Sequence, residues 1–146
     1  MTGLALTPYL TCRDAASAID FYGRAFDARE VFRLTDPADG RVGHAELRIG
    51  AARVMLADEY PDFGALSPDA LGGSPVLLHL ECDDVDALTA QATRAGAMLL
   101  RAPATQSFGE RNAMVQDPFG HRWMLTRTVE VVAPEDMQRR WDEGAG

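Results

Sequence analysis

Apolar and polar residues follow two different periods along the first part of the chain. Apolar residues recur at helical spacing from Ala15 to Phe26, directly after Asp14, whose carboxylate can cap a helix. Around this segment the pattern is that of strands, with the clearest alternation between Val42 and Ile49. The pattern predicts one helix and four short strands, and the strands cover 4–11, 32–34, 42–49 and 53–57. In chain order these elements form a βαβββ unit over residues 4–58.

A second set of elements follows in the same order. Asp84 precedes a helical pattern whose apolar positions are Val85, Leu88, Ala92 and Ala95. The strands of this set are predicted at 76–81, 99–100, 111–116 and 122–127. We therefore predict a second βαβββ unit over residues 76–128. Residues 59–75, rich in Pro, Gly, Ser and Asp, are predicted to be a linker or arm, and residues 129–146 a tail that contains a short helix.

The two units share sequence as well as order. Cys12-Arg13-Asp14 in the first unit corresponds to Cys82-Asp83-Asp84 in the second, seventy positions later, and Gly50 corresponds to Gly120 at the same offset. A constant offset of this kind indicates one supersecondary unit that is used twice. Two such units pair with each other, and the space between them is a natural place for a ligand.

Charge and composition exclude several classes of function. The chain has 22 acidic and 14 basic residues and a net charge of −8, which argues against nucleic acid and anionic membranes as partners. Every basic residue is an arginine, so a lysine nucleophile or Schiff base is excluded. No apolar run is long enough to span a membrane, and no secretory signal is recognisable. The two cysteines are therefore expected to be reduced thiols of a cytoplasmic protein.

Three segments carry a resemblance to a known family. They are the helix positions Ala18-Ile19-Asp20-Phe21-Tyr22, the segment from His79 to Asp86, and the turn from Asp117 to Trp123. With these, the chain resembles the glyoxalase/bleomycin-resistance group, also called the vicinal oxygen chelate superfamily, over about residues 4–128. The resemblance implies an α+β fold in which two tandem βαβββ units form a curved, half-open mixed-sheet barrel with the helices outside. It also implies a homodimer, in which two chains can exchange their units.

The resemblance bears on metal binding as well. In metal-using members of the family, four ligands come from four strands, and the corresponding positions here are Thr7, Val54 or Leu56, Leu77 and Met124. None of these is a good ligand for a divalent metal, which prefers imidazole, thiolate or carboxylate. The resemblance thus implies a metal-independent protein without a cofactor. Such a protein would bind a small organic molecule in the concave cleft, as the antibiotic-sequestering members do.

The period of two in strands leaves an alternative open. His44 and Glu46 share one face of a predicted strand, and His79 and Glu81 share a face with Leu77. Three interpretations of these polar residues remain: they face water, they orient a ligand, or they form a shifted metal or acid–base site. In the last case His44, Glu46 and His79 would bind a divalent metal such as Zn, Ni, Mn or Fe. The protein would then be a lyase or isomerase of the glyoxalase type.

The predicted ligand-binding set combines apolar and polar positions of the cleft. Asp58 is included because it shares a strand face with Leu56. Arg111 is included because a guanidinium at a cleft edge can hold a carboxylate or phosphate, although a surface ion pair with Glu110 or Asp117 is its alternative role. The whole set is His44, Glu46, Leu56, Asp58, Leu77, His79, Arg111 and Met124. Outside this set, His121 is expected at the surface and Trp123 in the core.

Overall fold

A computed structural model describes residues 3–144 of the chain, and this part contains eight strands and four α-helices. The first unit contains β1 (Tyr9–Cys12), α1 (Ala15–Phe26), β2 (Arg29–Thr35), β3 (Val42–Ile49) and β4 (Ala52–Asp58). The segment between the units contains a 3₁₀ helix (Pro61–Phe63) and α2 (Pro68–Leu71). The second unit and the tail contain β5 (Leu77–Glu81), α3 (Val85–Ala95), β6 (Met98–Thr105), β7 (Glu110–Gln116), β8 (Arg122–Thr128) and α4 (Pro134–Asp142). Positions 145–146 of the predicted tail lie outside the described residues.

The strands form two four-stranded mixed sheets with the same topology. The strand order is β1-β4-β3-β2 in the first sheet and β5-β8-β7-β6 in the second. In each sheet the first strand pairs parallel with the last, and the remaining pairs are antiparallel. Within residues 3–144 the sheets do not close into a barrel. The predicted α+β fold with two βαβββ units is confirmed.

The two long helices begin at equivalent capping residues. The carboxylate of Asp14 accepts a hydrogen bond from the backbone N–H of Ser17 at 3.2 Å, and Asp84 accepts one from Ala87 at 3.0 Å. Each bond satisfies one of the free N–H groups of a first helical turn. The predicted helix starts are therefore confirmed in both repeats.

A single apolar core lies beneath the helices of both units. Helix α1 packs on the strands of the first sheet, α3 packs on β6, β7 and β8, and the two helices pack on each other. Tyr22 and Phe26 of α1 reach Trp123 of the second unit, with ring centroids 5.5 and 4.9 Å apart. Trp123 is therefore a core residue, as predicted. Each sheet consequently has one face covered by helices and core, and one face without them, which we call the open face.

The connecting segment is fixed against both units. Its Pro68 packs on Gly120 so closely that a β-carbon at position 120 would lie 2.6 Å from the Pro68 Cβ. Arg13 of the first unit pairs with Asp69 of α2 at 3.0 Å and donates to the carbonyl oxygen of Pro118. The segment thus forms a wall over the junction of the two units.

Two extra residues in the first sheet determine which side chains share its open face. Leu34 lies opposite His44 and Thr35 lies opposite Val42, so Gly43 is an additional residue in β3. A β-bulge of this kind reverses the alternation on one side of it. Val31 is the additional residue in β2. Because of the bulge at Gly43, Val42 is buried while His44 lies on the open face.

The predicted tail helix is present as α4 but lies loosely on the body. None of its residues is buried. Arg140 attaches it, pairing with Glu130 at 2.7 Å and donating to the carbonyl of Ser107 at 2.7 Å. Across residues 3–144 we find no helix with the length and apolar character needed to cross a membrane.

Candidate functional site

The open face of the first sheet carries an aromatic cluster. The Tyr9 hydroxyl and the His44 Nδ1 atom share a hydrogen bond of 2.7 Å. The His44 ring lies 5.4 Å from the Tyr9 ring and 5.5 Å from the Phe32 ring, measured between centroids. Tyr9 is 51% exposed and Phe32 is 42% exposed. Partial burial raises the pKa of the Tyr9 hydroxyl further above neutral pH, and this hydroxyl can donate to His44. We call Tyr9, Phe32 and His44 the aromatic cluster.

A row of arginines crosses the same open face beside this cluster. Arg29 of β2 lies directly opposite Arg48 of β3, and Arg48 lies directly opposite Arg53 of β4. Residues that are opposite in a sheet project from the same face. Glu46 on this face pairs with Arg53 at 3.4 Å. We call Arg29, Arg48 and Arg53 the arginine row.

A cavity of about 570 Å³ lies between the two units at the end of this row. Thr7, Arg48 and Arg53 line it from the first unit. His79 and an apolar wall line it from the second, and that wall consists of Leu78, Leu80 and Trp123. We call this space the inter-unit cavity. Its volume is in the range of small-molecule sites, and its lining combines apolar and polar groups as such sites do.

The open face of the second sheet carries both apolar and polar side chains. His79 of β5 lies opposite Met124 of β8, which lies opposite Met114 of β7. Further along the same face, Asn112 and Thr126 lie opposite each other and are both 1% exposed. The Asn112 Nδ2 and Thr126 Oγ1 atoms have no hydrogen-bond partner among the described residues.

A second, smaller cavity of about 350 Å³ lies beneath the connecting segment. Its walls are mostly apolar and include Leu66, Pro68, Leu71 and Val76. His121 also lines it, and its Nε2 atom lies 3.0 Å from the carbonyl oxygen of Thr11. His121 is therefore half-buried and holds the free edge of β1, which corrects the prediction of a surface position.

Five members of the predicted ligand-binding set lie on the open faces. His44 and Glu46 are on the first sheet, where His44 belongs to the aromatic cluster and Glu46 contacts the arginine row. Leu77, His79 and Met124 are on the second sheet, with His79 directly beside Met124. Their roles in binding remain predictions.

The structure corrects three members of the set. Leu56 is fully buried in the core, because Val54 and Leu56 occupy the helix-covered face of β4. Asp58 is on that face as well, where its two oxygens accept hydrogen bonds from the backbone N–H groups of Ala15 and Val42, both at 2.7 Å. These residues hold the fold together and do not line the open face. The error came from assigning β4 to the wrong face, since Arg53 and Met55 are the side chains that project from the open side.

Arg111 is the third correction. It projects from the helix-covered side of β7, where it makes two hydrogen bonds of 2.7 Å to the carboxylate of Asp86 on α3. The hydrogen bonds to Arg111 lower the pKa of the Asp86 carboxyl, and the same bonds raise the pKa of Arg111. Arg111 therefore ties α3 to its sheet through an ion pair, but the partner is Asp86 and not the expected Glu110 or Asp117.

The alternative metal site is not formed by one copy of the chain. His44 and Glu46 share the open face of β3, but His79 belongs to the other sheet. In the described part of the chain, no three His, Cys, Asp or Glu side chains are close enough to hold one ion. The two cysteines are free thiols, and burial with neighbouring carboxylates raises the pKa of Cys12, so Cys12 is not a reactive thiolate.

Sequence reasoning missed Tyr9 and Phe32 of the aromatic cluster and the whole arginine row. These residues are on four different strands, and only the strand pairing brings them side by side. One signal was available, because a glycine inside an alternating strand, such as Gly43, often marks a bulge. With that bulge in place, the open face of the first sheet could have been aligned more accurately.

Comparison with known proteins gives a consistent result. The sequence profile described as Glyoxalase/Bleomycin resistance protein/Dioxygenase superfamily matches residues 5–125. An uncharacterized protein of Mycobacterium bovis is 46% identical over 137 residues, which cover 92% of this chain and 90% of that protein. An uncharacterized protein of Mycobacterium tuberculosis strain H37Rv has the same identity over the same length and is covered to 80%.

Two solved structures show the likeness in three dimensions. TioX from Micromonospora sp. ML1 superposes with a TM-score of 0.68 and 28% identity, over 86% of this chain and 99% of TioX. A glyoxalase/bleomycin resistance protein/dioxygenase from Nocardioides superposes with a TM-score of 0.69, over 92% of this chain and 89% of that structure. Its identity is 18%, so this second likeness is one of fold alone.

Proposed function

The chain belongs to the glyoxalase/bleomycin resistance protein/dioxygenase superfamily, and from this premise we propose that it binds a small, ring-containing organic molecule without a metal ion. The proposed binding surface is the open face of the first sheet together with the inter-unit cavity. The proposed role is sequestration of such a molecule, as the bleomycin resistance part of the superfamily's name suggests.

The aromatic cluster is the observation that carries this proposal. Phe32 remains 42% exposed and Tyr9 51% exposed, although both are large rings beside a third ring. Aromatic side chains prefer offset or edge-on contact with other rings, which contributes about 0.5–1.5 kcal/mol beyond area burial. Since the Tyr9–His44 hydrogen bond orients two of the three rings, the cluster presents a prepared surface to a ring-containing ligand.

The chemistry of the open-face residues supports a metal-independent role. The positions that correspond to metal ligands in other members of the family are Thr7, Val54 or Leu56, Leu77 and Met124. Val54 and Leu56 lie on the helix-covered face of β4, and Arg53 and Met55 project from its open side. Divalent metals prefer imidazole, thiolate and carboxylate ligands, so this set of side chains favours an organic ligand.

We further propose that the protein is a cytoplasmic homodimer. All residues of the edge strand β2 and all but Pro103 of the edge strand β6 are exposed, including Leu34 at 60% and Met98 at 58%. Exposed apolar edge strands are surfaces that a second chain can cover. Light scattering after size exclusion should give twice the 15.9 kDa of one chain, and a mass of one chain would contradict the dimer. The free thiols of Cys12 and Cys82 suit a reducing compartment.

The binding proposal can be tested with the fluorescent ring compound phenylnaphthylamine, which is neutral. We expect saturable binding to protein that has been treated with a chelator. Phe32→Ala should weaken this binding by roughly 2- to 10-fold, the range expected for one aromatic contact. Phe63→Ala is the matched control, because Phe63 is 85% exposed and lies on the 3₁₀ helix, outside the aromatic cluster.

Three results would count against the proposal. Absence of saturable binding would contradict a ring-binding site. Equal effects of Phe32→Ala and Phe63→Ala would contradict the role of the aromatic cluster. Loss of binding on chelation, with recovery when zinc, nickel, manganese or iron(II) is added, would contradict metal independence.

A further inference from the structure

The arginine row places three like charges side by side without enough counter-charge. Arg29, Arg48 and Arg53 follow one another across three neighbouring strands on one face. Directly opposite residues in a sheet have β-carbons only about 5 Å apart, and like charges at this spacing are destabilising. The arrangement therefore lowers stability somewhat, and an anion bound on the face would offset that loss.

The carboxylates of the chain leave most of this charge unbalanced. Glu46 is the one acidic side chain, among residues 3–144, that forms an ion pair with the row, and it contacts Arg53 alone at 3.4 Å. Arg29 and Arg48 form no ion pair with any described residue. This is unusual in a chain in which 22 acidic residues outnumber 14 basic ones.

The inter-unit cavity gives the row a place to bind a ligand. Arg48 and Arg53 line the cavity from the first unit beside apolar residues such as Ile49 and Val54, and the second unit adds an apolar wall that includes Trp123. The Thr7 hydroxyl and the His79 imidazole line the same space. The lining thus offers two guanidinium groups to a negative charge and apolar side chains to an apolar body.

We propose that the inter-unit cavity binds an organic oxyanion, a molecule with an apolar body and a carboxylate, sulfonate or phosphate group. The guanidinium groups of Arg48 and Arg53 hold the oxyanion, and Arg29 adds attraction from the outer end of the row. Arginine suits this role because its planar guanidinium can make two parallel hydrogen bonds to such a group. The inference rests on the proposed small-molecule binding and adds the charge and chemical class of the ligand.

A matched pair of fluorescent probes tests this inference. Anilinonaphthalene sulfonate carries an anionic group on nearly the same rings that neutral phenylnaphthylamine has. We expect Arg48→Gln to weaken sulfonate binding roughly tenfold and to change phenylnaphthylamine binding less than about twofold. Arg94→Gln is the matched control, because Arg94 is an exposed arginine on α3 outside the cavity, and it should leave both affinities unchanged.

Stability supplies a second readout that a merely structural arginine would not produce. Because Arg48→Gln removes repulsion within the row, the variant without ligand should melt at the same temperature as the wild type or higher. If Arg48→Gln is at least as stable as the wild type but binds the anionic probe less tightly, the charge of Arg48 serves binding and not stability. Lower stability together with unchanged probe binding would overturn the inference.

The outcomes separate this inference from the proposed function. If neither probe binds, both the proposed function and the inference fail. If both probes bind and Arg48→Gln leaves the sulfonate affinity unchanged, the inference fails while the proposed function stands. An equal loss in Arg48→Gln and Arg94→Gln would show a general effect of net charge and would also overturn the inference.

Discussion

The Tyr22 hydroxyl donates a hydrogen bond to the buried carboxylate of Asp117, 95 positions further along the chain. The same carboxylate accepts hydrogen bonds from the indole of Trp123 at 2.9 Å and from the backbone N–H groups of Phe119 and His121 at 2.9 and 3.0 Å. Four donors therefore surround one buried anion. Because Tyr22 belongs to the first unit and the other donors to the second, this carboxylate joins the two repeats.

Removal of the Tyr22 hydroxyl should weaken this joint. Tyr22→Phe should lower the free energy of unfolding by about 1.5–3 kcal/mol, the range for a hydrogen bond to a charged group. Urea unfolding followed by tryptophan fluorescence measures the change. Tyr60→Phe is the control, because the Tyr60 hydroxyl donates to Asp36 at 3.1 Å in a partly exposed position and its loss should cost less than about 1 kcal/mol. Equal losses of unfolding free energy in the two variants would contradict the role of the Tyr22–Asp117 hydrogen bond in joining the two units.

Alkaline pH should destabilise the protein through the same tyrosine. Burial, and then the neighbouring Asp117 carboxylate, raise the pKa of Tyr22 well above its usual value. Above pH ~10 an unfolded tyrosine loses its proton while the folded one keeps it, so the unfolded state binds fewer protons. The contribution of Tyr22 to stability is thus complete below pH ~10. As pH rises further, it decreases by up to about 1.4 kcal/mol per pH unit.

The comparison of wild type with Tyr22→Phe isolates this effect. The free energy of unfolding should fall less in the variant between about pH 8 and about pH 11, since phenylalanine has no proton to lose. Cys12, whose pKa is also raised by burial, is present in both proteins and cancels in the difference. Parallel pH profiles for the two proteins would contradict the prediction.

Asp58 should affect stability and not ligand binding. Its two oxygens each accept a backbone N–H at 2.7 Å, one at the start of α1 and one at the start of β3. Asp58→Asn replaces one acceptor by a donor, and we expect a loss of about 1.5–3 kcal/mol in the free energy of unfolding. Asp62→Asn, at an exposed position of the 3₁₀ helix, should change it little. A weaker affinity for phenylnaphthylamine with unchanged stability would restore the original assignment of Asp58 to the site.

Gly120 should be required for docking of the connecting segment. It has a φ of +89°, which disfavours other residues, and an added Cβ would lie 2.6 Å from Pro68. Gly64 has a φ of +74° with nothing within 4 Å of such an atom, so Gly64→Ala reports the backbone strain alone. We expect Gly120→Ala to cost at least about 1 kcal/mol more than Gly64→Ala and to speed proteolysis within residues 59–75. Equal costs and equal proteolysis would contradict a docked segment.

Local features of the sequence were sufficient for the architecture. Asp14 and Asp84 mark helix starts because a short carboxylate caps the free N–H groups of a first turn, and this requires only neighbouring residues. The seventy-residue offset between the repeats gave the βαβββ order of both units. Trp123 follows a turn and lies on the same face of its strand as Leu125. Its position in the strand was therefore enough to place it in the core.

The site was predicted less well because it depends on strand faces. Alternation placed His44, Glu46 and His79 on the open faces, and the family resemblance placed Leu77 and Met124 there. The same reasoning failed for Leu56 and Asp58, because alternation defines two faces of a strand but does not say which of them the helices cover.

By itself, the sequence determined the class of elements, their order, their repetition and the helix caps, since all of these depend on residues close together in the chain. Only the tertiary structure decided that Arg29, Arg48 and Arg53 form one row and that Tyr22 meets Asp117. Strand register is set by pairing between distant segments, and a single added residue such as Gly43 shifts it. The side chains that meet across strands therefore emerge only when the two sheets and the core are assembled together.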